Sequence, residues 1–410
     1  MLRQLLMIAA SLVLMPWQAP ACAAPGAEDK AAQDTATAFS ALGSQFQRLE
    51  EQLRQHRALA EAGGWPEVPD GPTIHPDAED SRLATLALRL SVSGDLFSAD
   101  TGLSTSAYNE TLQNAVRRFQ ARHGLDVDGL VGRGTLRALN VTVQQRIDQI
   151  RVNLERVRWD LDDNSEDLVL VNIPAFKMHV IRDGKIVWTT DVIVGDPENK
   201  TPVFRSTLKN LVFNPTWTVP QSIASKELLP KIKQDPSFFQ RGNYELYDRA
   251  GDKVDPSSVD WSAVDRKSFS YTLVQQPGPT NQMGQIKFMI PNDYSVCMHD
   301  TPQKSLFAVA ARAFSHGCIR IDRPLGLAEV LLDNENWTRK EVDSQVESSE
   351  TRSVVLTEPL QVHIVYWTAE VDDLGVMHFY DDIYKWDATV LERLDKPFQS
   401  DHHDQPGASY

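Results

Sequence analysis

A chain of 410 residues is long enough for two or three domains of ~150 residues each. Its composition, 41% hydrophobic and 24% charged, is globular and excludes collagen-like, low-complexity and wholly disordered proteins. The net charge is −15, and because nucleic-acid binding needs a basic surface, we expect no nucleic-acid partner. No apolar run reaches the ~18 to 20 residues of a membrane span, and three cysteines are too few for a disulfide framework.

The first 23 residues have the layout of a secretory signal peptide. Arg3 provides a positive start, Leu5 to Met15 an apolar core, and Ala21-Cys22-Ala23 a small-residue cleavage site. We therefore predict export and cleavage after Ala23. Lipidation of Cys22 is the alternative, although the preceding Ala19-Pro20-Ala21 lacks the leucine that is usual before a lipidated cysteine.

The next part of the chain is predicted to be helical. Residues 24–83 contain an amphipathic helix that ends at Gly63-Gly64, and we interpret the region as a scaffold and linker. Residues 84–140 are predicted to form a small helical module. The central helix of this module has one apolar face, made of Leu112, Ala115, Val116 and Phe119. A further apolar stripe predicts a connecting helix within 141–166, with arginines on its opposite face.

From residue 167 the hydrophobic period changes from that of helices to that of strands. Residues 176–195 are predicted to be a hairpin, because two β-rich runs flank Asp183-Gly184. Further strands are predicted over 168–173, 211–220, 269–276, 285–290 and 294–299. A polar helix-and-loop insertion over about 226–264 interrupts them, as a lid or as surface decoration. The region 346–410 is predicted to contain two strands (362–371 and 376–383), a short helix and a polar tail.

The segment 294–324 contains the residues that are best suited to catalysis. A thiol nucleophile needs a base, and His299 lies 19 positions before Cys318, separated from it by a segment of helical character. Gly317 permits a tight turn in which the amides of Gly317 and Cys318 face a developing oxyanion. Arg320 follows on the same face, where its guanidinium can hold a carboxylate with two hydrogen bonds.

Two alternatives remain open from the residues alone. Cys297-x-His299 and His316-x-Cys318 supply four ligand types for zinc, although their spacing differs from that of ordinary structural sites. A Cys297–Cys318 disulfide is the second alternative for an exported chain. Neither alternative explains why Ser315, Gly317 and Arg320 occur together.

His299, fifteen residues and then SHGCIR resemble the signature of the L,D-transpeptidase catalytic domain, the YkuD-like family. Similar stretches include VNIPAF (171–176), LVFNPTW (211–217) and QPGPTNQMGQIKFMIPN (276–292). AVRRFQARHGLDVDGLVGRGTLRALN (115–140) resembles peptidoglycan-binding domain 1. Together these segments resemble the large YcbB-type branch. The resemblance implies a multidomain α+β protein, with a mostly-β catalytic domain over 167–345 and a capping insertion within it.

The resemblance also implies roles for individual residues. Cys318 corresponds to the nucleophile and His299 to the proton acceptor, with the backbone carbonyl of Asp300 orienting the imidazole. Gly317 corresponds to the oxyanion hole, together with the Cys318 amide. The residues that shape the substrate-binding pocket correspond to Ser315, His316 and Arg320. Cys297 lies outside the family pattern, and we interpret it as a neighbour on the same strand face rather than as a redox partner.

The function that the resemblance implies is a periplasmic transpeptidase that forms 3→3 cross-links between peptidoglycan stem peptides through a thioester. It implies no cofactor and no metal, with stem peptides and glycan strands as partners; the oligomeric state stays open. An L,D-carboxypeptidase or cross-link hydrolase would use the same residues, and a non-catalytic wall anchor is the alternative from another class. Because a transferase must shield its acyl-enzyme from water, the insertion favours transfer over hydrolysis.

Overall fold

The structure is a computed structural model that describes residues 41–97, 107–162, 165–235, 237–332 and 337–396. The predicted signal peptide, including Cys22, lies outside these residues. Helices dominate the part before residue 160 and strands the part after it, which confirms the predicted α+β class. Among the described residues, no helix combines the length and the apolar character that crossing a bilayer requires.

The regular elements follow in chain order. The helices are α1 Ala41–Glu61, α2 Leu83–Val92, α3 Glu110–Arg122, α4 Arg133–Leu139, α5 Val143–Arg158, α6 Gln221–Ile223, α7 Leu229–Gln234, α8 Phe238–Gly242, α9 Pro324–Leu331, α10 Arg339–Glu347 and α11 Asp387–Leu394. The strands are β1 Leu168–Asn172, β2 Lys177–Arg182, β3 Lys185–Gly195, β4 Phe204–Phe213, β5 Trp217–Thr218, β6 Tyr244–Tyr247, β7 Lys253–Val254, β8 Thr272–Gln275, β9 Ile286–Met289, β10 Met298–His299, β11 Ala313–Ser315, β12 Ile319–Ile321, β13 Arg352–Val365, β14 Ala369–Val371 and β15 Met377–Phe379.

Helices α2, α3 and α4 form the small module expected from the sequence. The Asn109 side chain begins α3 by accepting a hydrogen bond from the Leu112 amide at 3.1 Å. The predicted apolar face of α3 is confirmed, since none of its four side chains is more than 2% exposed. These side chains pack on α2 and α4 in one apolar cluster.

The long helices α1 and α5 pack on each other and on the β-rich part through Leu42, Leu49, Ile150 and Val157. Of the arginines predicted on the face of α5 opposite the apolar stripe, Arg146 and Arg156 are buried. Their charge is accommodated locally. Arg156 pairs with Asp387 of α11 at 2.6 Å, and the Arg146 guanidinium stacks on an aromatic ring of β15.

Within the described part of the chain, nine strands form the central sheet, in the order β11-β3-β12-β10-β9-β4-β13-β1-β2. The predicted hairpin is present as β2 and β3, with both residues of its Asp183-Gly184 turn at positive φ. Because β2 pairs with β3 as well as with β1, the sheet closes on itself and buries one large apolar core.

The C-terminal strand β13 corrects the predicted boundary at residue 345. It pairs with β4 on one side and β1 on the other, so it belongs to the barrel and not to a separate C-terminal region. It also begins at Arg352, ten residues before the predicted strand. Its first half has no clear alternation of apolar and polar residues, so only the pairing with β4 defines it as strand.

The insertion is larger than predicted and contains its own sheet. Strands β5, β8, β6 and β7 pair in that order, so this unit runs from Trp217 to Gln275 rather than over 226–264. The sheet of this unit is covered by the π-helical turn Ala224–Leu228 and by helices α6, α7 and α8. An apolar cluster that includes Val219, Leu229 and Leu273 gives the insertion a core separate from that of the barrel.

Candidate active site

Two parallel strands bring the cysteines and the histidine together. In the register of β10 and β12, Met298 lies opposite Ile319 and His299 opposite Arg320, and the Ile319 amide donates to the Cys297 carbonyl at 2.8 Å. This register places Cys297 beside Cys318. The two Sγ atoms and a ring nitrogen of His299 all lie within 4.8 Å of one another. The chain returns from His299 to Cys318 through the 3₁₀ turn Lys304–Ala308 and β11, where the sequence predicted helical character.

The buried imidazole of His299 has one defined orientation. Its Nδ1 lies 2.5 Å from the Asp300 carbonyl oxygen. Because a carbonyl only accepts, Nδ1 carries the proton of this hydrogen bond, and Nε2 is left for the thiol. The Asp300 carbonyl therefore accepts the Nδ1 proton and fixes the orientation of the ring.

The Asp300 carboxylate holds this carbonyl in place, a role that the sequence did not indicate. Its Oδ1 accepts from the Thr301 amide and from Lys304 Nζ, each at 2.6 Å, and its Oδ2 accepts from the Gln285 amide at 2.8 Å. Gly284 has a φ of +63°, and a Cβ there would overlap the Asp300 carboxylate. In the sequence, the spacing of Asp300 and Lys304 at i, i+4 was the signal from which this role of the carboxylate could have been predicted.

The turn before the nucleophile uses Ser315 as a structural residue. The buried Ser315 hydroxyl donates to the Cys318 carbonyl at 2.5 Å and accepts from the Gly317 amide at 3.1 Å. The Gly317 amide is therefore engaged, which differs from its expected place in an oxyanion hole. The Cys318 amide has no hydrogen-bond acceptor among the described residues. It is therefore the better candidate for the donor of an oxyanion hole.

Thr201 and Tyr384 support the same turn from outside the motif. The Thr201 hydroxyl donates to the Gly317 carbonyl and accepts from the Gly195 amide, both at 2.9 Å. The Tyr384 hydroxyl donates to the Gly195 carbonyl at 2.6 Å. Neither residue was identified from the sequence, because both lie more than 60 positions from Cys318 and contact the turn only through the fold.

His316 and Arg320 face different partners. His316 is half exposed, and its Nε2 lies 2.9 Å from Glu227 Oε1 in the π-helical turn of the insertion. The insertion thus contacts the chain two residues before Cys318. The Arg320 Nη1 donates to Gln303 Oε1 at 2.7 Å, while its buried Nε has no partner among the described residues. Burial lowers the pKa of Arg320, and the neighbouring thiols partly offset that effect.

Cys297 contacts the nucleophile directly. The two cysteines are free, with their Sγ atoms 2.7 Å apart, and the Cys297 amide donates to Cys318 Sγ at 3.3 Å. The hydrogen bond from the Cys297 thiol, followed by the hydrogen bond and charge of His299, lowers the pKa of Cys318 well below that of an ordinary thiol. The same pairing and burial raise the pKa of Cys297, so the thiolate resides on Cys318.

Cys297, His299 and Cys318 are also the group that could hold a metal ion among the described residues. Two sulfurs bound to one tetrahedral zinc ion lie about 3.8 Å apart, given Zn–S bonds of about 2.3 Å. The observed sulfur separation of 2.7 Å does not fit that arrangement. His316 contacts Glu227 instead of this group, so the four-ligand zinc site considered from the sequence is not assembled.

We expect Cys297→Ala to raise the pKa of the Cys318 thiol by about one unit or more, because it removes the side-chain hydrogen-bond donor to the thiolate. The rate of iodoacetamide alkylation of Cys318, followed against pH under reducing conditions, measures this shift. The thiolate fraction falls as pH drops through the pKa, so the midpoint of the rate profile should move to higher pH. Cys297→Ser is the matched control, since it keeps a donor, and should shift the midpoint less. An unchanged midpoint in Cys297→Ala would contradict this role of Cys297.

The comparisons with known families match both parts of the chain. Residues 166–343 match the model of the "L,D-transpeptidase catalytic domain" (YkuD), and residues 82–139 match the model "Putative peptidoglycan binding domain". The chain is 34% identical over 242 residues to a protein of Haemophilus influenzae named "Putative L,D-transpeptidase". This alignment covers 59% of the chain and 48% of that protein, so the chain spans about half the length of this relative.

Solved L,D-transpeptidase structures are also similar to the chain. One from Mycobacterium smegmatis is 15% identical, with 48% of this chain and 58% of that chain covered and a TM-score of 0.22. One from Enterococcus faecium is 13% identical, with 49% and 50% covered and a TM-score of 0.24. The barrel that carries Cys318 and His299 lies largely within the first family match, and α2 to α4 lie within the second. Residues 166–343 thus match the L,D-transpeptidase catalytic domain of the YkuD family, and residues 82–139, which precede them, match the peptidoglycan-binding family.

Proposed function

We propose that this chain is a cysteine L,D-transpeptidase that joins peptidoglycan stem peptides outside the cytoplasm. The observation that carries the proposal is the Cys318 thiolate beside an imidazole whose Nδ1 is committed to the Asp300 carbonyl. A thiolate paired with such a base is suited to acyl transfer. The domain of the peptidoglycan-binding family supports a cell-wall substrate.

In the first step, the Cys318 sulfur attacks the carbonyl carbon of the third stem residue, typically meso-diaminopimelate. The C–N bond to D-alanine breaks, and the leaving amine takes the proton that His299 Nε2 received from the Cys318 thiol. The Cys318 amide, which is without an acceptor among the described residues, can donate to the oxyanion of the tetrahedral intermediate. The product is a thioester between the stem and Cys318, together with free D-alanine.

In the second step, the side-chain amine of a diaminopimelate on another stem attacks the thioester carbonyl. His299 Nε2 accepts a proton from the attacking amine, the C–S bond breaks, and the sulfur leaves as a thiolate. The new amide is a 3→3 cross-link, and the enzyme returns to its starting state. All bonds and protons balance without a cofactor.

The contact between Glu227 and His316 favours transfer over hydrolysis. Through this contact the insertion meets the chain two residues before Cys318, and a cover at that point would limit the access of water to the thioester. A hydrolase would use the same residues but would need no such cover. We therefore assign a covering role to the insertion, and we propose a periplasmic location on the basis of the predicted signal peptide.

Incubation of the full chain with disaccharide-tetrapeptide muropeptides, followed by mass spectrometry of protein and products, tests this proposal. A thioester on Cys318, released D-alanine and a dimer joined through diaminopimelate are the expected products. Tripeptide without dimer would favour the carboxypeptidase. Unchanged substrate together with a Cys318 that labels no faster than an ordinary thiol would favour the non-catalytic anchor.

A further inference from the structure

Cys297 and Cys318 form a pair of neighbouring free thiols, although the proposed reaction uses the sulfur of Cys318 alone. The two Sγ atoms lie 2.7 Å apart, and both residues are half-buried. The third cysteine of the sequence, Cys22, lies outside the described residues. One thiol of the pair is thus left without a covalent role in the proposed reaction.

The strand register holds the two cysteines at a separation that suits a disulfide. Cys297 and Cys318 directly precede β10 and β12, which are parallel neighbours. The Ile319 amide donates to the Cys297 carbonyl at 2.8 Å and so joins the two backbones at this point. Neighbouring strands lie about 4.7–4.9 Å apart, and a disulfide needs Cα atoms about 4.4–6.8 Å apart. A bond between the sulfurs would therefore require no rearrangement of the backbone.

Cys318 has the reactivity that a first oxidation step requires. The Cys297 thiol, followed by His299, lowers the pKa of Cys318 to about 4, so its sulfur is ionised near neutral pH. A thiolate attacks hydroperoxides, which are small enough to reach a half-buried side chain. The sulfur attacks one peroxide oxygen, the O–O bond breaks, and the departing oxygen takes the proton held by His299 Nε2. The thiolate becomes a sulfenic acid, oxidised by two electrons, and the peroxide is reduced to water or an alcohol.

Oxidation of Cys318 prepares its neighbour for the second step. The hydrogen bond to Cys318 is the largest cause of the raised pKa of Cys297, followed by burial and by the negative charge of Cys318. A sulfenic acid carries no such charge, whereas the charges of Lys287 and Arg320 continue to lower the pKa of Cys297.

The second step closes the bond between the two sulfurs. A ring nitrogen of His299, neutral after the first step, lies within 4.8 Å of both sulfurs and can accept the Cys297 proton. The Cys297 sulfur then attacks the Cys318 sulfur, the S–O bond breaks, and the leaving hydroxide takes that proton to form water. Two thiols and one hydroperoxide thus give a disulfide, with the two electrons of the pair transferred to the peroxide.

We propose that Cys297 is a redox modification site, at which hydroperoxides join it to Cys318 in a disulfide that reversibly blocks the nucleophile. The disulfide stops oxidation at a stage that a dithiol can reverse by exchange. A sulfenic acid without a second thiol proceeds instead to sulfinic and sulfonic acids, which thiols do not reduce. The predicted export would place the pair in a compartment where disulfides persist. This role goes beyond the function proposed above, and it differs from the strand neighbour that the sequence favoured.

Titration of the reduced full chain with hydrogen peroxide, followed by N-ethylmaleimide and peptide mapping by mass spectrometry, tests the proposal. We expect a Cys297–Cys318 disulfide within one chain, no alkylation of either residue, and full recovery of Cys318 alkylation after dithiothreitol. Sulfinic or sulfonic acid on Cys318 beside a free Cys297 would overturn the proposal. A disulfide that joins Cys22, or that joins two chains, would do the same. This measurement needs neither a substituted chain nor a substrate.

Cys297→Ser is the matched variant, because serine keeps a hydrogen-bond donor but cannot form the S–S bond. At a peroxide dose that fully oxidises the unsubstituted chain, Cys318 of this variant should pass to sulfinic and sulfonic acids, and dithiothreitol should not restore its alkylation. Each chain is compared with its own reduced form, so that any effect of the substitution on the basal rate cancels. Thermal melting checks that the variant is folded. Recovery equal to that of the unsubstituted chain would contradict the protecting role of Cys297.

The cross-linking assay separates this proposal from the proposed function. The peroxide-treated chain should form no dimer from disaccharide-tetrapeptide muropeptides, and dithiothreitol should restore dimer formation. A disulfide that forms and reopens in a chain that cross-links nothing when reduced would support the modification site and contradict the proposed function. Cross-linking by a reduced chain whose Cys318 never pairs with Cys297 under peroxide would do the reverse.

Discussion

Cys318→Ala is expected to abolish thioester formation and cross-linking, with a loss of about 10⁴-fold or more in kcat. The physical reason is that the sulfur forms the covalent bond in both proposed steps, and no other described side chain carries a nucleophile with a comparably lowered pKa. Intact-mass spectrometry after incubation with disaccharide-tetrapeptide measures the adduct, and chromatography of the products measures the dimer.

The neighbouring thiol makes the control for this prediction important. The Sγ atom of Cys297 lies 2.7 Å from that of Cys318, so Cys297 is the residue that could replace the nucleophile. In Cys318→Ala, the paired sulfur no longer raises the pKa of Cys297. Burial still raises it, and burial disfavours a thiolate. Cys297→Ala, with Cys318 intact, should still form the thioester. An adduct on Cys297 in Cys318→Ala, with dimer formed at the original rate, would contradict the assignment.

His299→Ala is expected to lower kcat by about 10²- to 10⁴-fold, the usual contribution of a general base. The same change removes a hydrogen bond and a charge that lower the pKa of Cys318. The Cys318 pKa should therefore rise, and since the thiolate is lost as pH falls through that pKa, the acidic limb of the alkylation profile should move to higher pH. Steady-state dimer formation and the pH dependence of alkylation measure the two effects separately.

His75→Ala is the matched control for His299→Ala, because His75 is exposed in the helical part of the chain. It should leave the rate and the alkylation profile unchanged. Should His299→Ala keep both the original rate and the original midpoint, His299 would be neither the base nor a partner of the thiolate.

Features set by local patterns were predicted from the sequence. The apolar face of α3 and the end of α1 near Gly63-Gly64 depend on residues within a few helical turns of one another. The hairpin at Asp183-Gly184 depends on two adjacent residues that tolerate positive φ. The motif around Cys318 and the earlier His299 were also identified, because their residue types and spacing are specific.

Features that require distant segments to meet were missed. The first half of β13 is defined by its pairing with β4, more than a hundred residues earlier, and not by its own alternation. The insertion was underestimated because β5 and β8, its first and last strands, pair across more than fifty residues. In the same way, the hydroxyls of Thr201 and Tyr384 support the catalytic turn only because the barrel closes.

The amino-acid sequence alone determined which groups are available for chemistry. These are the Cys318 thiol, the His299 imidazole and the glycine turn at Gly317. Tertiary structure decided how they act. The register of β10 and β12 turned Cys297 from a strand neighbour into a hydrogen-bond donor to the nucleophile. Packing of α11 and β15 against α5 buried Arg156 and Arg146, for which the sequence indicated only a helix face opposite the apolar stripe. Burial and distance set the pKa of these groups, and both arise only when segments far apart in the chain pack together.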